Sequence, residues 1–250
     1  MLPETHDVEL EVDWHLTNRC NFDCEYCHPQ IKRVLNRRHL AEPRPEACVA
    51  AFDRLGRACH VSMSGGEPFL FPGFVELCEG LTRRHVISIN TNLSSPLVED
   101  FAARVAPDRG VRIAAALHVA ERERLGETEE RFAANYRILC DRGFPIIALY
   151  VLYPPLLHRA ADDLERLRAL GVDRIAGKVF KGRWADRTYP EAYTPTEREV
   201  VREVAGEYPY NEPYLRGMLR FRWEPCRAGV RSFKVMVTPG KTSSTVLLAL

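Results

Sequence analysis

Short apolar segments with the pattern of β-strands alternate with amphipathic helical segments along most of this 250-residue chain. Strand-like segments are apolar in runs or at every second position, whereas helical segments repeat apolar residues every three or four positions. The predicted strands cover residues 9–16, 59–64, 86–90, 111–118, 145–153 and 174–180. This alternation predicts an α/β fold with parallel strands and outer helices. Both an open doubly wound sheet and a partial barrel fit it.

Helix start and stop signals lie between these strands. Helices are predicted over residues 46–55, 74–81, 96–105, 159–170 and 196–207. Ser95 is predicted to cap the helix over 96–105, and another helix is predicted to start after Thr128 and to end at Gly143. The regular pattern ends near Trp184, and one last strand is predicted over residues 232–238.

The composition excludes several classes of protein. Hydrophobic residues make up 46% of the chain and charged residues 28%, which excludes a disordered or fibrous chain. The 35 basic and 34 acidic residues give a net charge of +1, so we expect neither nucleic acid nor a membrane as partner. The first seven residues show no export signal, and no segment is apolar enough to span a membrane, which predicts a cytoplasmic protein.

Eight cysteines are distributed unevenly along the chain. Cys20, Cys24 and Cys27 form a C-x3-C-x2-C pattern just after the first predicted strand. Reduced thiols are expected in a chain without an export signal, and three thiolates on one short loop suit iron–sulfur or zinc. Core packing is expected for the cysteines at apolar positions of helices and of strand two, which are Cys48, Cys59, Cys78 and Cys140.

Four interpretations of the cysteine loop compete. A structural zinc site needs four ligands, and His28 is too close to Cys27 to bind the same ion easily. Residues 24–28 match the C-x-x-C-H pattern of covalent haem attachment, which leaves Cys20 unexplained. The third interpretation is a four-iron cluster on three cysteines with one iron open to another ligand, and the fourth is coincidence. The cluster is favoured.

Residues 16–27, which read LTNRCNFDCEYC, resemble the cluster loop of the radical S-adenosylmethionine (radical SAM) superfamily. An aromatic residue before the third cysteine, here Tyr26, is typical of that loop. A second motif, S-G-G-E-P at residues 64–68, ends the second predicted strand. Its glycines let the backbone approach a ligand closely, Glu67 offers a carboxylate, and Pro68 fixes the next turn. The two motifs together resemble this superfamily far more than either does alone.

The resemblance implies a role for each matching segment. Cys20, Cys24 and Cys27 would ligate three irons of a [4Fe–4S] cluster. The segment that binds the methionine amino group of S-adenosyl-L-methionine (SAM) in the family corresponds here to Gly65, Gly66, Glu67 and Pro68. Tyr26 would lie beside the adenine.

Two further segments are similar to the family's SAM-contacting positions. Asn92 lies in a segment that resembles the family's T-N-G, with Leu93 where glycine is common. His118 ends strand four, and Ala116 stands where the family often has a serine that contacts the ribose. All these segments follow successive predicted strands, at the face that carries active sites in α/β barrels.

The resemblance covers residues 9–182 and implies a partial (β/α)6 TIM-like barrel, followed by an extension over residues 183–250. In the extension, residues 226–229 (CRAG) look like the opening of a SPASM or twitch segment, which binds extra clusters. One cysteine cannot hold a four-iron cluster, so the extension is expected to be degenerate or truncated, and a single cluster is expected.

The resemblance also implies an activity. An electron from a flavodoxin or ferredoxin would pass through the cluster and cleave SAM to methionine and a 5′-deoxyadenosyl radical, which abstracts hydrogen from a peptide or small metabolite. An activating enzyme that installs a glycyl radical on a partner protein, and a non-catalytic iron–sulfur or SAM-binding protein, are the alternatives. Candidates for substrate contacts are Lys178, Lys181, Arg183, Trp184, Tyr189 and Tyr193, and the alternative is a solvated loop with packed tyrosines.

Overall fold

The computed structural model describes residues 8–27, 32, 42–205, 211, 232–236 and 248–249. Six predicted strands are present: β1 (Leu10–Thr17), β2 (Cys59–Gly65), β3 (Val86–Thr91), β4 (Val111–Ala116), β5 (Ile146–Leu152) and β6 (Ile175–Val179). The helices are α1 (Pro45–Asp53), α2 (Phe74–Leu81), α3 (Val98–Arg104), α4 (Val119–Leu125), α5 (Glu129–Asp141), α6 (Ala160–Ala169) and α7 (Pro195–Ala205). The predicted α/β alternation is confirmed.

One eight-stranded sheet organises these elements. The strand order is β10–β9–β1–β2–β3–β4–β5–β6, where β9 is Ser232–Met236 and β10 is Leu248–Ala249. Every neighbouring pair from β9 to β6 is parallel, and only β10 runs antiparallel to its neighbour. All the strands from β1 to β6 therefore end at the same edge, where their connecting loops meet.

The core fills the space between this sheet and its helices. Val12, Trp14 and Leu16 alternate along β1 and are almost completely buried, and the Trp14 ring packs 5.4 Å from that of Phe52 on α1. The predicted structural cysteines follow the same pattern. Cys48, Cys59 and Cys78 are fully buried, as predicted, whereas Cys140 is half-buried against the core.

Several local predictions were wrong in detail. Helix α3 starts at Val98 rather than at residue 96, because the Ser95 hydroxyl accepts the amide of Leu97 (3.2 Å) in a turn that precedes the helix. Thr128 is the N-cap residue of α5 as predicted, but its side chain makes no capping hydrogen bond. The predicted helix over 159–170 is preceded by a 3-10 turn over Pro154–Arg159.

Two elements carried no recognised sequence signal. Helix α4 follows β4 directly, after a backbone reversal at His118, which has a φ of 53°. A hairpin joins β7 (Gly182–Trp184) to β8 (Arg187–Tyr189), and its two turn residues, Ala185 and Asp186, both have positive φ. Such turns are usually recognised from an Asn-Gly, Asp-Gly or Gly-Gly pair, and this turn has none of them.

The predictions about Cys226 and the segment around it lie outside the described residues. So does His28, which the zinc and haem interpretations involve. Among the helices that the structure describes, none is long and apolar enough to cross a membrane.

Candidate active site

A cavity of about 440 Å³ opens at the carboxyl ends of strands β1 to β6. Its lining includes all the residues predicted to hold the cluster and SAM except Pro68: Cys20, Cys24, Cys27, Tyr26, Gly65, Gly66, Glu67, Asn92 and His118. Of the candidate substrate contacts, Lys178 and Lys181 line it, whereas Arg183, Trp184, Tyr189 and Tyr193 do not. Pro68 is buried at the start of the 3-10 turn Pro68–Leu70. Segments that are up to about a hundred residues apart thus meet at one face of the sheet, as expected for a parallel α/β fold.

The cysteine loop follows β1 and is fixed by backbone hydrogen bonds. The amide of Cys27 donates to the carbonyl of Cys24 (3.1 Å), and the amide of Phe22 donates to the Cys20 sulfur (3.4 Å). Burial raises the pKa of the Cys20 thiol to about 11 and that of Cys24 well above its ordinary value. Thiols in such surroundings stay protonated unless a cation or metal takes the place of the proton.

The arrangement of the three thiols bears on which metal group they fit. Among the described residues, no three His, Cys, Asp or Glu side chains lie close enough together to hold a single metal ion. In an iron–sulfur cluster each thiolate binds a different iron, so the thiols need not converge on one point. Three thiols on one cavity wall fit that demand.

Gly65, the last residue of β2, and Gly66 pack directly against the end of β1 and the start of the cysteine loop. The amides of Gly66 and Glu67 donate to the carbonyls of Thr17 (2.8 Å) and Arg19 (2.7 Å). A Cβ atom on Gly66 would lie 2.0 Å from the Arg19 carbonyl oxygen, and one on Gly65 would lie 2.5 Å from that of Thr17. These glycines therefore allow a close approach to the end of β1 and to the start of the cysteine loop. The predicted approach of their backbone to a ligand stays a prediction.

Glu67 bridges the ends of β2 and β3. Its carboxylate is buried and accepts hydrogen bonds from the amide of Phe69 (3.1 Å), the hydroxyl of Thr91 (2.7 Å) and the amide of Asn92 (2.7 Å). Burial raises the pKa of Glu67 to about 7, although these bonds oppose the shift. The carboxylate that the sequence offered to a ligand is thus engaged in fixing the cavity wall.

Asn92 connects the end of β3 to the cysteine loop. Its side-chain amide donates to the side chain of Asn21 (2.9 Å), and its side-chain carbonyl accepts from the Ser94 amide (3.0 Å) and hydroxyl (2.7 Å). The next residue, Leu93, is fully buried and has a φ of 57°. That left-handed conformation explains why glycine suits this position, and a leucine there is strained.

A hydrogen bond between Tyr26 and His118 joins the cysteine loop to the end of β4. The Tyr26 hydroxyl lies 3.0 Å from Nδ1 of His118, and the two rings are 5.7 Å apart. Burial, together with the charges of Arg122 and Lys178, lowers the pKa of His118 to about 3, so this imidazole is neutral. A neutral imidazole can accept a hydrogen bond from the tyrosine hydroxyl at one nitrogen and donate a hydrogen bond from the other.

Arg122 is a site residue that the sequence did not single out. Its side chain is 1% exposed and donates to the carbonyl of Leu117 (2.7 Å), to the carbonyl of Asn92, and to the carboxylate of Glu127 (2.9 Å). The guanidinium also lies 5.1 Å from the ring centre of Phe22 in the cysteine loop. Arg122 therefore joins the cysteine loop to the ends of β3 and β4. Its helix, α4, was not predicted, so no signal marked this arginine as buried.

Part of this sequence is similar to a known protein family and to known relatives. A family model described as the radical SAM superfamily matches residues 14–167. A probable GTP 3′,8-cyclase of Methanopyrus kandleri is 30% identical over 139 residues, which cover 53% of this chain and 41% of that protein. Mycofactocin maturase MftC of Mycobacterium tuberculosis is 29% identical over 116 residues, which cover 45% of this chain and 26% of the maturase. The match thus spans less than half the length of either relative.

Solved structures share the fold at low sequence identity. Streptococcus suis SuiB bound to S-adenosylmethionine superposes with a TM-score of 0.60 at 13% identity, covering 92% of this chain and 59% of SuiB. The structure of native anSMEcpe with bound AdoMet superposes with a TM-score of 0.58 at 14% identity, covering 83% of this chain and 62% of anSMEcpe. These likenesses confirm the predicted partial TIM-like barrel.

Proposed function

The chain belongs to the radical SAM superfamily of enzymes, and we propose that Cys20, Cys24 and Cys27 hold a [4Fe–4S] cluster that serves the reductive cleavage of SAM. Membership of the family implies an iron–sulfur cluster and SAM. When bound, they supply a 5′-deoxyadenosyl radical that abstracts a hydrogen atom. The observation that carries the proposal is that the three thiols and the Gly65-Gly66-Glu67 segment line one cavity. The amides of Gly66 and Glu67 fix this segment to the carbonyls of Thr17 and Arg19, just before Cys20.

The chain's own residues would hold and orient these groups. The cysteine loop is fixed on one side by Glu67 and Gly66 and on the other by Glu121, whose carboxylate accepts the amide of Asp23 (2.6 Å). Iron binding would replace the thiol protons, which the burial of Cys20 and Cys24 otherwise retains. A loop held in this way needs little reorganisation to receive its cluster.

We propose that SAM contacts Gly65, Gly66, Glu67 and Pro68, together with Asn92, His118 and Tyr26. Apart from Pro68, these residues line the cavity next to the cysteines, which supports the proposal. Because the Glu67 carboxylate already accepts three hydrogen bonds, the backbone of this segment is the better partner for the SAM amino group. Neutral His118 and Tyr26 offer polar atoms without net charge to the same cavity.

The substrate is proposed to be a peptide or a small molecule. The relatives include cyclases named for GTP and a mycofactocin maturase, and one solved SuiB structure is described as bound to a precursor peptide. We propose a flavodoxin- or ferredoxin-type electron donor, no nucleic-acid or membrane partner, and a cytoplasmic location. Residues 9–182 are proposed to be the catalytic core and residues 183–250 an extension.

The cluster proposal is tested with anaerobically reconstituted protein, dithionite and SAM. We expect about four irons per chain and release of 5′-deoxyadenosine. Replacing Cys20, Cys24 and Cys27 together by alanine should abolish both. Cys140→Ala is the matched control, because this cysteine is half-buried and is not a cavity residue. A triple variant that still released 5′-deoxyadenosine would overturn the proposal, and about eight irons per chain would overturn the single cluster.

A further inference from the structure

Two lysines reach the cavity from the β6 end. Lys178 is half-buried within β6, and Lys181 is exposed just beyond it, and both line the cavity. Strand β6 is separated from β1 by four strands in the sheet order. The lysines therefore enter the cavity from the side opposite to the cysteine loop.

The charge of Lys178 has no counter-charge in the described part of the chain. No hydrogen bond or ion pair to its ammonium group occurs among those residues, and the only carboxylate in the described cavity lining is that of Glu67. That carboxylate already accepts bonds from three donors at the ends of β2 and β3. Burial, and after it the charge of Lys181, lower the pKa of Lys178. A half-buried ammonium group in this setting is stabilised by an anion that enters from solution.

The electrostatics separate Lys178 from the cysteine end. Burial is the main cause of the raised pKa of the Cys20 and Cys24 thiols, and the charges that act on them are those of Glu67, Glu121 and neighbouring thiols. The charge of Lys178 acts on the pKa of His118 instead. The charge of Lys178 thus acts at His118 and is not among the charges that shift the pKa of the Cys20 and Cys24 thiols.

We propose that Lys178, assisted by Lys181, forms a subsite for a phosphate or carboxylate group of the substrate. This inference rests on the proposed function, since it assigns the remaining end of the same cavity. Leu149, Val151 and Phe180 line the wall beside the lysines, and Val151 is the register partner of Lys178 on β5. The subsite therefore fits a substrate with an apolar part next to its anionic group.

The test uses the anaerobically reconstituted protein with SAM bound. Inorganic phosphate and, separately, acetate are titrated at constant ionic strength by calorimetry, into wild type, Lys178→Met, Lys181→Met and Lys234→Met. Lys234 lies on β9, is exposed and is not a cavity residue, so Lys234→Met is the matched control. The two titrations show whether the subsite prefers phosphate or carboxylate.

We expect at least one of the two anions to bind the wild type and Lys234→Met with equal affinity. Its affinity for Lys178→Met should be lower by a factor of about ten or more, as for loss of a charge-assisted hydrogen bond. Lys181→Met should bind it more weakly by a smaller factor. Equal affinity for wild type and Lys178→Met, or no binding of either anion to the wild type, would overturn the inference.

The affinity for SAM, measured on the same preparations, separates this inference from the proposed function. If Lys178→Met loses as much affinity for SAM as for the anion, Lys178 serves the carboxylate of SAM and the inference is wrong. If the wild type neither holds iron nor binds SAM, the proposed function fails. Anion titration of that same protein then still decides whether Lys178 binds an anion.

Discussion

At the β1–β4 end of the cavity every loop is bonded to its neighbour, whereas at the β6 end the ammonium of Lys178 has no bonded partner among the described residues. Glu67 joins the ends of β2 and β3, and Asn92 joins β3 to the cysteine loop. Arg122 joins β3 and β4. The backbone beside Lys178 is bonded as well, since the Asn211 side chain bonds Gly177 and Val179 and the Tyr193 hydroxyl joins Phe180 to Leu152. The Lys178 side chain takes no part in these bonds.

The difference suggests a division of labour within one cavity. Groups that must be held in a single geometry are best placed on residues whose rotamers and partners are fixed in advance. A group that recognises a ligand keeps its bonding capacity free, because a satisfied ammonium would have to lose a partner before binding. The first end therefore suits the cluster and SAM, and the second suits a substrate. Stability measurements on the metal-free protein can test this contrast.

The largest effect is expected for Arg122→Met. The substitution leaves the carbonyls of the buried residues Asn92 and Leu117 without their donor, and it removes the buried partner of the half-buried carboxylate of Glu127. Breaking a buried ion pair by removing one partner costs about 3–5 kcal/mol. Urea denaturation should show a loss of this size in the free energy of unfolding.

Arg104→Met is the matched control for this experiment. Arg104 on α3 forms ion pairs with Glu76, Glu79 and Asp100, as many carboxylates as any arginine in the described residues, but it lies at the surface. Exposed pairs contribute little because water already solvates the charges. If the two substitutions lowered the free energy of unfolding equally, the buried bonds of Arg122 would not stabilise the β1–β4 end of the cavity more than surface ion pairs do.

A smaller effect is expected from the protonation of Glu67. The unfolded chain loses this proton near its ordinary pKa of 4.5, whereas the folded protein keeps it until pH about 7. Between these values the folded state binds the extra proton, so the contribution of Glu67 to stability is present below pH 4.5 and is lost as the pH rises to 7. The loss is about 1.4 kcal/mol per pH unit, or roughly 3 kcal/mol in total.

The stability of the wild type alone does not isolate this effect. The pKa of His118 is lowered to about 3, so its protonation favours the unfolded chain as the pH falls below its ordinary value, which is the opposite slope. The measurement is therefore the difference in unfolding free energy between wild type and Glu67→Gln, from pH 4.5 to 7. This difference should shift by roughly 3 kcal/mol in favour of the variant, and a pH-independent difference would contradict the prediction.

The sequence predicted the layout of the site because its signals are local. Apolar alternation located each strand end, and the C-x3-C-x2-C and S-G-G-E-P motifs lie at two of those ends. Parallel pairing then brings the segments to one edge without further information. Leu93 is instructive, since it occupies a left-handed position where the resembling motif has glycine.

The bonds that hold the site together could not be predicted in the same way. Arg122 reads as one charged residue in a charged segment. The rings against its guanidinium are those of Phe132 on α5 and of Phe22, which is a hundred positions away in the sequence. The contact that Gly66 makes could not be predicted for a related reason. Its neighbour is the backbone of Arg19, and no side-chain pattern reports a contact between two backbones. Such contacts exist only once the sheet has formed.

The smallest effect is expected for Lys178→Met, and it tests the other half of the contrast. Methionine keeps an apolar stem of similar length, and no hydrogen bond or ion pair among the described residues is lost. Removing a half-buried charge without a partner relieves a desolvation cost. The unfolding free energy of the metal-free protein should therefore stay within about 0.5 kcal/mol of the wild type or rise slightly. A loss comparable to that of Arg122→Met would mean that Lys178 braces the fold, and that both ends of the cavity are built in the same way.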